Sequence, residues 1–293
     1  MTKMASAVHD MAAWIRDCIV RYTASGENSL YPEGGREPAW EEPLVGFSRG
    51  NDPLYPWFKE DIGPFVLTPQ EIFNGTFPDV QAGPDELTVI SWILPQTEKT
   101  RSEHSREKLL PAERWARSRN FGEVFNMKLR DHLVGVLREA GHEAVAPMRS
   151  PLWRTEKSAR YDFASTWSER HAAYASGLGT FGLCDGLITP RGKAMRCGSV
   201  VARIAVPPTE RPYDDHHAYC LFYFNGSCGK CITRCPAGAI THEGHNKQKC
   251  FDYLHDVAIP FVQSRFGFEA SACGLCQTGV PCEAKIPVPG RNG

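Results

Sequence analysis

Eight of the chain's eleven cysteines fall in its last 74 residues: Cys220, Cys228, Cys231, Cys235, Cys250, Cys273, Cys276 and Cys282. Two pairs, Cys228/Cys231 and Cys273/Cys276, have the C-x2-C spacing that aims two sulfurs from one short turn at a common centre. Thiols at this density either staple a small secreted fold or hold metal. The N-terminal run MTKMASAVHDMAAWIRDC carries Asp10, Arg16 and Asp17 where an export signal needs an apolar segment. No apolar run approaches the length of a membrane span. A cytosolic chain keeps its thiols reduced, so the tail is expected to bind metal.

The stretch Cys228-Gly-Lys-Cys231-Ile-Thr-Arg-Cys235-Pro236 is a C-x2-C-x3-C-P run. In two-cluster ferredoxins the cysteine before proline ligates the other cluster, because it sits too far round the turn to join its neighbours. Two crossed sets of four follow. Set A is Cys220, Cys228, Cys231 and Cys282; set B is Cys235, Cys250, Cys273 and Cys276. Two [4Fe–4S] clusters are expected, with one cluster plus a zinc site as the alternative. The pattern departs from the common spacing at both ends. Cys220 lies five residues before Asn225, where a first ligand would fall, and Cys282 closes a C-x5-C interval with Pro281 before it.

A second motif, Gly177-Leu-Gly179-Thr-Phe-Gly182, spells G-x-G-x-x-G. A dinucleotide site needs that turn after a strand and opening a helix. Here the context is reversed: it follows a helical stretch and runs into Cys184-Asp-Gly-Leu-Ile-Thr-Pro190, which disfavours a dinucleotide site and leaves a helix C-cap with tight turns as the plain reading. A bare backbone approached by a flat cofactor is the functional reading.

The chain before the tail must position this chemistry. Apolar spacing predicts helices over 5–24, 112–140 and 168–176, the last with Ser168 as N-cap and Gly177 as stop. Leu87–Leu94 reads as a buried strand, with further strands at 143–147, 186–189 and 199–206. Residues 25–86, rich in Gly and Pro, read as an extended wrapping segment. The expected organisation is 1–86 helix and wrap, 87–219 catalytic core, 220–287 cluster module and 288–293 tail. With 42% hydrophobic and 23% charged residues and a net charge of −1, a generic polyanion binder is disfavoured. Residues 101–130 nonetheless hold eight bases against four acids, a solvated helix face or a surface for an anionic partner.

Residues 169–190, ERHAAYASGLGTFGLCDGLITP, resemble the segment shared by epoxyqueuosine reductases and reductive dehalogenases. SRNFGEVFNMKLRDHL (118–133) is similar to a helix of the former. The resemblance spans about residues 85–287. It implies an α+β fold: an α/β-like, nitroreductase-type cobalamin-binding core with a C-terminal ferredoxin-like double-cluster module. It also implies base-off cobalamin reduced by the clusters, held by Gly177, Leu178, Gly179, Gly182, Cys184, Ile188, Thr189, Asn120 and Phe121. Cys184 stands where the relatives often have Lys or Arg. A proton donor is needed for reductive cleavage, and Asp162 and Tyr161 are the candidates. The substrate is expected to be a small molecule and the donor a low-potential ferredoxin or flavodoxin. tRNA remains possible but is not favoured. A two-cluster electron carrier without cobalamin is the competing reading.

Overall fold

The computed structural model describes residues 2–290. The chain enters through α1 (Thr2–Thr23), β1 (Leu44–Arg49), α2 (Leu54–Ile62) and α3 (Pro69–Thr76). It continues through β2 (Leu87–Pro95), α4 (Glu98–Ser105), α5 (Glu113–Glu139), β3 (Ala144–Val145), β4 (Thr155–Ser158) and β5 (Asp162–Ser165). Next come α6 (Glu169–Ala175), β6 (Thr180–Phe181), β7 (Leu187–Ile188) and β8 (Met195–Arg203). The tail holds α7 (Leu221–Asn225), α8 (Lys230–Arg234), β9 (Ile240–Thr241), β10 (Gly244–His245), α9 (Lys247–Tyr253) and α10 (Ile259–Phe266).

The central sheet runs β1-β2-β8-β3, with every pair antiparallel. All nine residues of β2 are buried, because helices cover both faces of the sheet. This explains why Leu87–Leu94 lacks the alternation of a half-buried strand. On one face Ile90, Trp92 and Val200 pack with Ile15, Ile19, Phe125, Leu129 and Leu133 of α1 and α5. On the other, Val89, Ile93 and Val201 pack with α2, α3 and α6. Trp92 lies over Gly198 of β8, where any Cβ would overlap the indole, and donates to Asn126 Oδ1 at 2.9 Å.

Two expectations change. The segment read as an extended wrap supplies the edge strand β1 and the helices α2 and α3, whose Tyr55, Phe58, Ile72 and Phe73 enter the core. Its many Gly and Pro residues sit in the connections and at helix starts, as with Pro69 at the beginning of α3 behind a Thr68/Glu71 capping box. The boundary at 219/220 also does not divide two cores. Cys220, Cys231, Cys282 and Ile286 belong to the same apolar cluster as α6 and β2.

Acidic and basic stretches turn out to neutralise each other. Arg101, Arg114, Arg117 and Lys128 reach Glu41, Glu37, Glu33 and Glu27 of the N-terminal segment. The basic run is therefore largely compensated from within the chain.

Candidate functional site

The glycine motif is a helix stop followed by a hairpin. Gly177 N–H donates to Tyr174 O at 3.2 Å and Leu178 N–H to Ala173 O at 3.0 Å. With Gly177 at φ +78°, this is the Schellman arrangement that ends α6. A side chain on Gly179 would strike the Ile188 carbonyl, and one on Gly177 the Glu210 carbonyl. The missing Cβ atoms admit the chain's own backbone at these two positions. Leu178, Ile188 and Thr189 are buried. Phe121 packs on Phe268 at 5.3 Å, in a separate patch with Arg117.

This hairpin positions the cysteine tail. Thr180 Oγ1 accepts from Tyr219 N–H at 2.9 Å, beside Cys220. Lys193 N–H donates to Cys282 O at 2.8 Å, and Gly192 leaves no room for a side chain against Glu283 and Ala284. Cys220, Cys228, Cys231 and Cys282 consequently line one small cavity of about 20 Å³, with Lys193, Leu183, Ile188 and Phe222 completing its wall. These are the four residues of set A.

Lys193 is buried, and its Nζ stands 3.2 Å from Cys184 Sγ. Burial opposes its charge, but the thiols of Cys184, Cys282, Cys276 and Cys231 around it push the ammonium's pKa up. Cys184 bonds both Cys231 and Cys276, and these bonds, ahead of Lys193, hold its thiol well below the usual range. Cys184 thus stands where the two sets meet. Nothing in the cysteine spacing marks Cys184 or Lys193.

Set B is looser. Cys235, Cys250 and Cys273 are partly exposed and close enough that the other two raise the Cys273 thiol after burial, to about 11. Cys276 leans toward Cys184. His245 lies on Cys250 and on Asp185, 2.9 Å from its carboxylate; burial opposes its charge, but these partners raise it to about 10. Gly274, at φ +63°, presses on the Trp115 ring, which stacks on His104 at 4.2 Å. Among the described residues no three His, Cys, Asp or Glu side chains converge closely enough to hold a single ion. A cubane asks instead for thiolates around a volume, and the set A pocket has that form.

A second site, not marked by any motif, lies at the end of β8. Arg130, almost fully buried, bonds Glu123 at 3.2 Å and Glu169 at 3.3 Å. Glu169 also accepts from Ser199 Oγ, which accepts from Trp167 Nε1 at 3.0 Å. Arg196 holds the other oxygen of Glu123 at 2.9 Å. Burial pushes the Glu169 carboxyl up against the pull of Arg130. Cys197 is raised to about 12 by burial, and His171, held between Phe58 and Phe181, is lowered to about 3 for the same reason. Arg119, Glu169, His171 and Cys197 are each partly exposed. Asn120 is on the same helix beside Arg119.

Tyr161 and Asp162 sit at the β4–β5 turn. Asp162 is exposed, with φ +59°. Tyr161 is part-buried; its hydroxyl donates to Asp61 Oδ2 at 2.8 Å, and Lys247 Nζ lies 5.1 Å from its ring. Burial and Asp61 raise the phenol to about 12. The two candidates therefore differ: one is a partnered phenol, the other a carboxylate open to water.

No family model matches the chain. A curated epoxyqueuosine reductase from Bacillus anthracis is 30% identical over 119 residues, 39% of this chain and 29% of that protein. In fold, the chain is similar to the catabolic reductive dehalogenase NpRdhA in complex with 3-bromo-4-hydroxybenzoic acid (TM-score 0.50, 20% identity), over 85% of this chain and 31% of that one. An epoxyqueuosine reductase from Bacillus subtilis gives TM-score 0.45 at 19% identity, over 84% of this chain and 63% of that one. The curated relative is an epoxyqueuosine reductase and the fold neighbours include a reductive dehalogenase, the two families named from the sequence resemblance. The chain spans under a third of the curated relative and of the dehalogenase.

Proposed function

We propose that this chain is an iron–sulfur reductase whose two [4Fe–4S] clusters pass electrons to a base-off cobalamin, for reduction of a small-molecule substrate. The observation that carries the reading is the single pocket gathering Cys220, Cys228, Cys231 and Cys282 from three separated stretches of tail. The likeness to epoxyqueuosine reductases and dehalogenases supports it. In this reading residues 220–287 are the ferredoxin-like module and the sheet with its helices is the nitroreductase-type core.

Set A would hold the inner cluster and Cys235, Cys250, Cys273 and Cys276 the outer one. Lys193, an ammonium with no carboxylate on it, favours electrons on the inner cluster. At set B the cationic His245 is already matched by Asp185. Set B, whose Cys235, Cys250 and Cys273 are partly exposed, would be the set a low-potential donor protein reaches.

Cobalamin, when bound, supplies the strongly reducing cobalt on which the substrate bond breaks. The glycine turn serves the reading by fixing Cys220 and Cys282 and not by lying bare. Tyr161 is the better proton donor of the two candidates, because a phenol raised to about 12 keeps its proton at neutral pH. Its bond to Asp61 orients the hydroxyl. The neutralised basic run lends no support to an RNA surface.

Anaerobic reconstitution with hydroxocobalamin tests the reading. About eight iron per chain and a corrin spectrum shifted to the base-off form are expected. An unshifted corrin spectrum with full iron would leave an electron carrier. Tyr161→Phe is expected to lower turnover about a hundredfold or more while leaving iron content unchanged. Unchanged turnover would remove Tyr161 from the chemistry.

A further inference from the structure

Two ring N–H groups meet at the second C-x2-C turn, and neither has an acceptor. His104 lies in the last turn of α4 and Trp115 in the first turn of α5, and both are buried. Their rings stack nearly parallel at 4.2 Å. Ala112 N–H donates to His104 Nδ1 at 3.3 Å, so the ring proton sits on Nε2. His104 Nε2 and Trp115 Nε1 are both buried without a hydrogen-bond partner. Native folds seldom leave buried donors unmet, because each then bears the full cost of leaving water.

Both rings sit against the tail. Trp115 packs with Val262, Ala270 and Ala272 in one apolar cluster. The indole edge that carries Nε1 lies on Gly274, between Cys273 and Cys276. A Cβ on Gly274 would stand 2.5 Å from Nε1 and 2.2 Å from Cζ2. Burial lowers His104 to about 3, and the Cys273 and Gly274 backbones oppose this from beside the ring. Neither gives Nε2 a hydrogen bond. The neighbouring carbonyls are already in use. Ala270 O accepts from Ala272 N–H at 2.8 Å, and Ser271 O from Arg119 Nε at 3.1 Å. Gly274 O accepts from Gln277 N–H at 2.8 Å, and Leu275 O and Thr278 O accept from Arg234 Nε. The acceptors that the turn can still add are sulfurs, those of Cys273 and Cys276 and of a cluster they hold.

We propose that His104 and Trp115 donate their ring N–H groups to sulfurs of the outer cluster and so hold its reduction potential up. The inference rests on set B binding a [4Fe–4S] cluster and deepens that reading by naming residues that tune it. Reduction adds negative charge that thiolates and sulfides share. An N–H aimed at one of those sulfurs therefore stabilises the reduced form more than the oxidised one. The two rings belong to helices of the core, so the body of the chain sets the potential of the cluster mounted on it.

Potentiometric EPR titration of the reconstituted chain tests this without requiring turnover. Both clusters are read in one sample, and the inner one is the internal control. His104→Phe keeps a ring on Trp115 but loses the donor. It is expected to lower the outer potential by about 60 mV, a tenfold change for a one-electron couple, with the inner potential steady. Trp115→Phe should move it in the same direction and serves if His104→Phe does not fold. His104→Gln returns an N–H donor and is expected to recover most of the shift. With histidine isotopically labelled at nitrogen, the hyperfine spectrum of the reduced outer cluster should show a coupling that His104→Phe removes. Unchanged outer potentials, equal movement of both potentials, or a full set of couplings in His104→Phe overturns this role alone, provided both clusters are present. A wild-type chain that shows only the inner signal overturns the outer cluster and this role with it.

Discussion

The two cysteine sets differ in how the fold treats them. Cys220, Cys231 and Cys282 are buried in the apolar cluster that also holds α6 and β2, around one pocket with a buried ammonium in its wall. Cys235, Cys250 and Cys273 are partly open to solvent, beside the exposed Phe251, and the cation at Cys250 is matched by a carboxylate. One set is thus part of the body and the other is mounted on it. Under the proposed reading the buried set is the inner station and the open set the entry point.

Removing one ligand makes the sharpest break. Cys228→Ala is expected to halve the iron, from about eight to about four per chain, leaving the outer cluster's EPR signal. Loss of both signals would mean that the sets are not independent. A smaller effect is expected from Lys193→Met, which removes a charge felt by Cys282 and Cys231 of set A and by Cys276 of set B. The inner potential should fall by about 60 mV or more, a tenfold change for a one-electron couple, and the outer potential by less. An unchanged inner potential would remove Lys193 from the tuning of either cluster. On the outer side, Gly274→Ala forces a side chain into a left-handed residue pressed on Trp115 and should cost roughly 1–3 kcal/mol in chemical denaturation. An unchanged midpoint would show that this turn is free to move.

The smallest effect lies outside both sets. His171 has its folded pKa lowered to about 3 from an ordinary 6.5. The unfolded chain therefore binds the extra proton first as pH falls. This group's stability is complete above pH ~6.5 and declines below it, by up to about 1.4 kcal/mol per pH unit. His171→Phe, between Phe58 and Phe181, should flatten that slope between pH 6.5 and 5. An unaltered slope would mean that His171 is protonated in place.

What was legible follows the physics of local pattern. β2, α5 and the Ser168-capped α6 were readable because apolar period, cap and stop residues coincide there. The eight tail cysteines were readable because C-x2-C spacing is local. The edge strand β1 and helices α2 and α3 were hidden by a Gly- and Pro-rich composition that places breakers only at the joints. Cys184 was legible only as part of the glycine turn, while Lys193 and the Arg130–Glu169 network were invisible, because no spacing rule links these residues to their partners. The G-x-G-x-x-G turn was legible as a shape, but what fills its missing side chains is the chain's own backbone.

The central claim is that the chain receives a corrinoid served by the two clusters. The EPR spectrum of cob(II)alamin mixed with the reconstituted chain tests it directly. The account predicts a base-off signal, with the nitrogen splitting of the lower ligand gone. A signal identical to that of free base-on cob(II)alamin would contradict it.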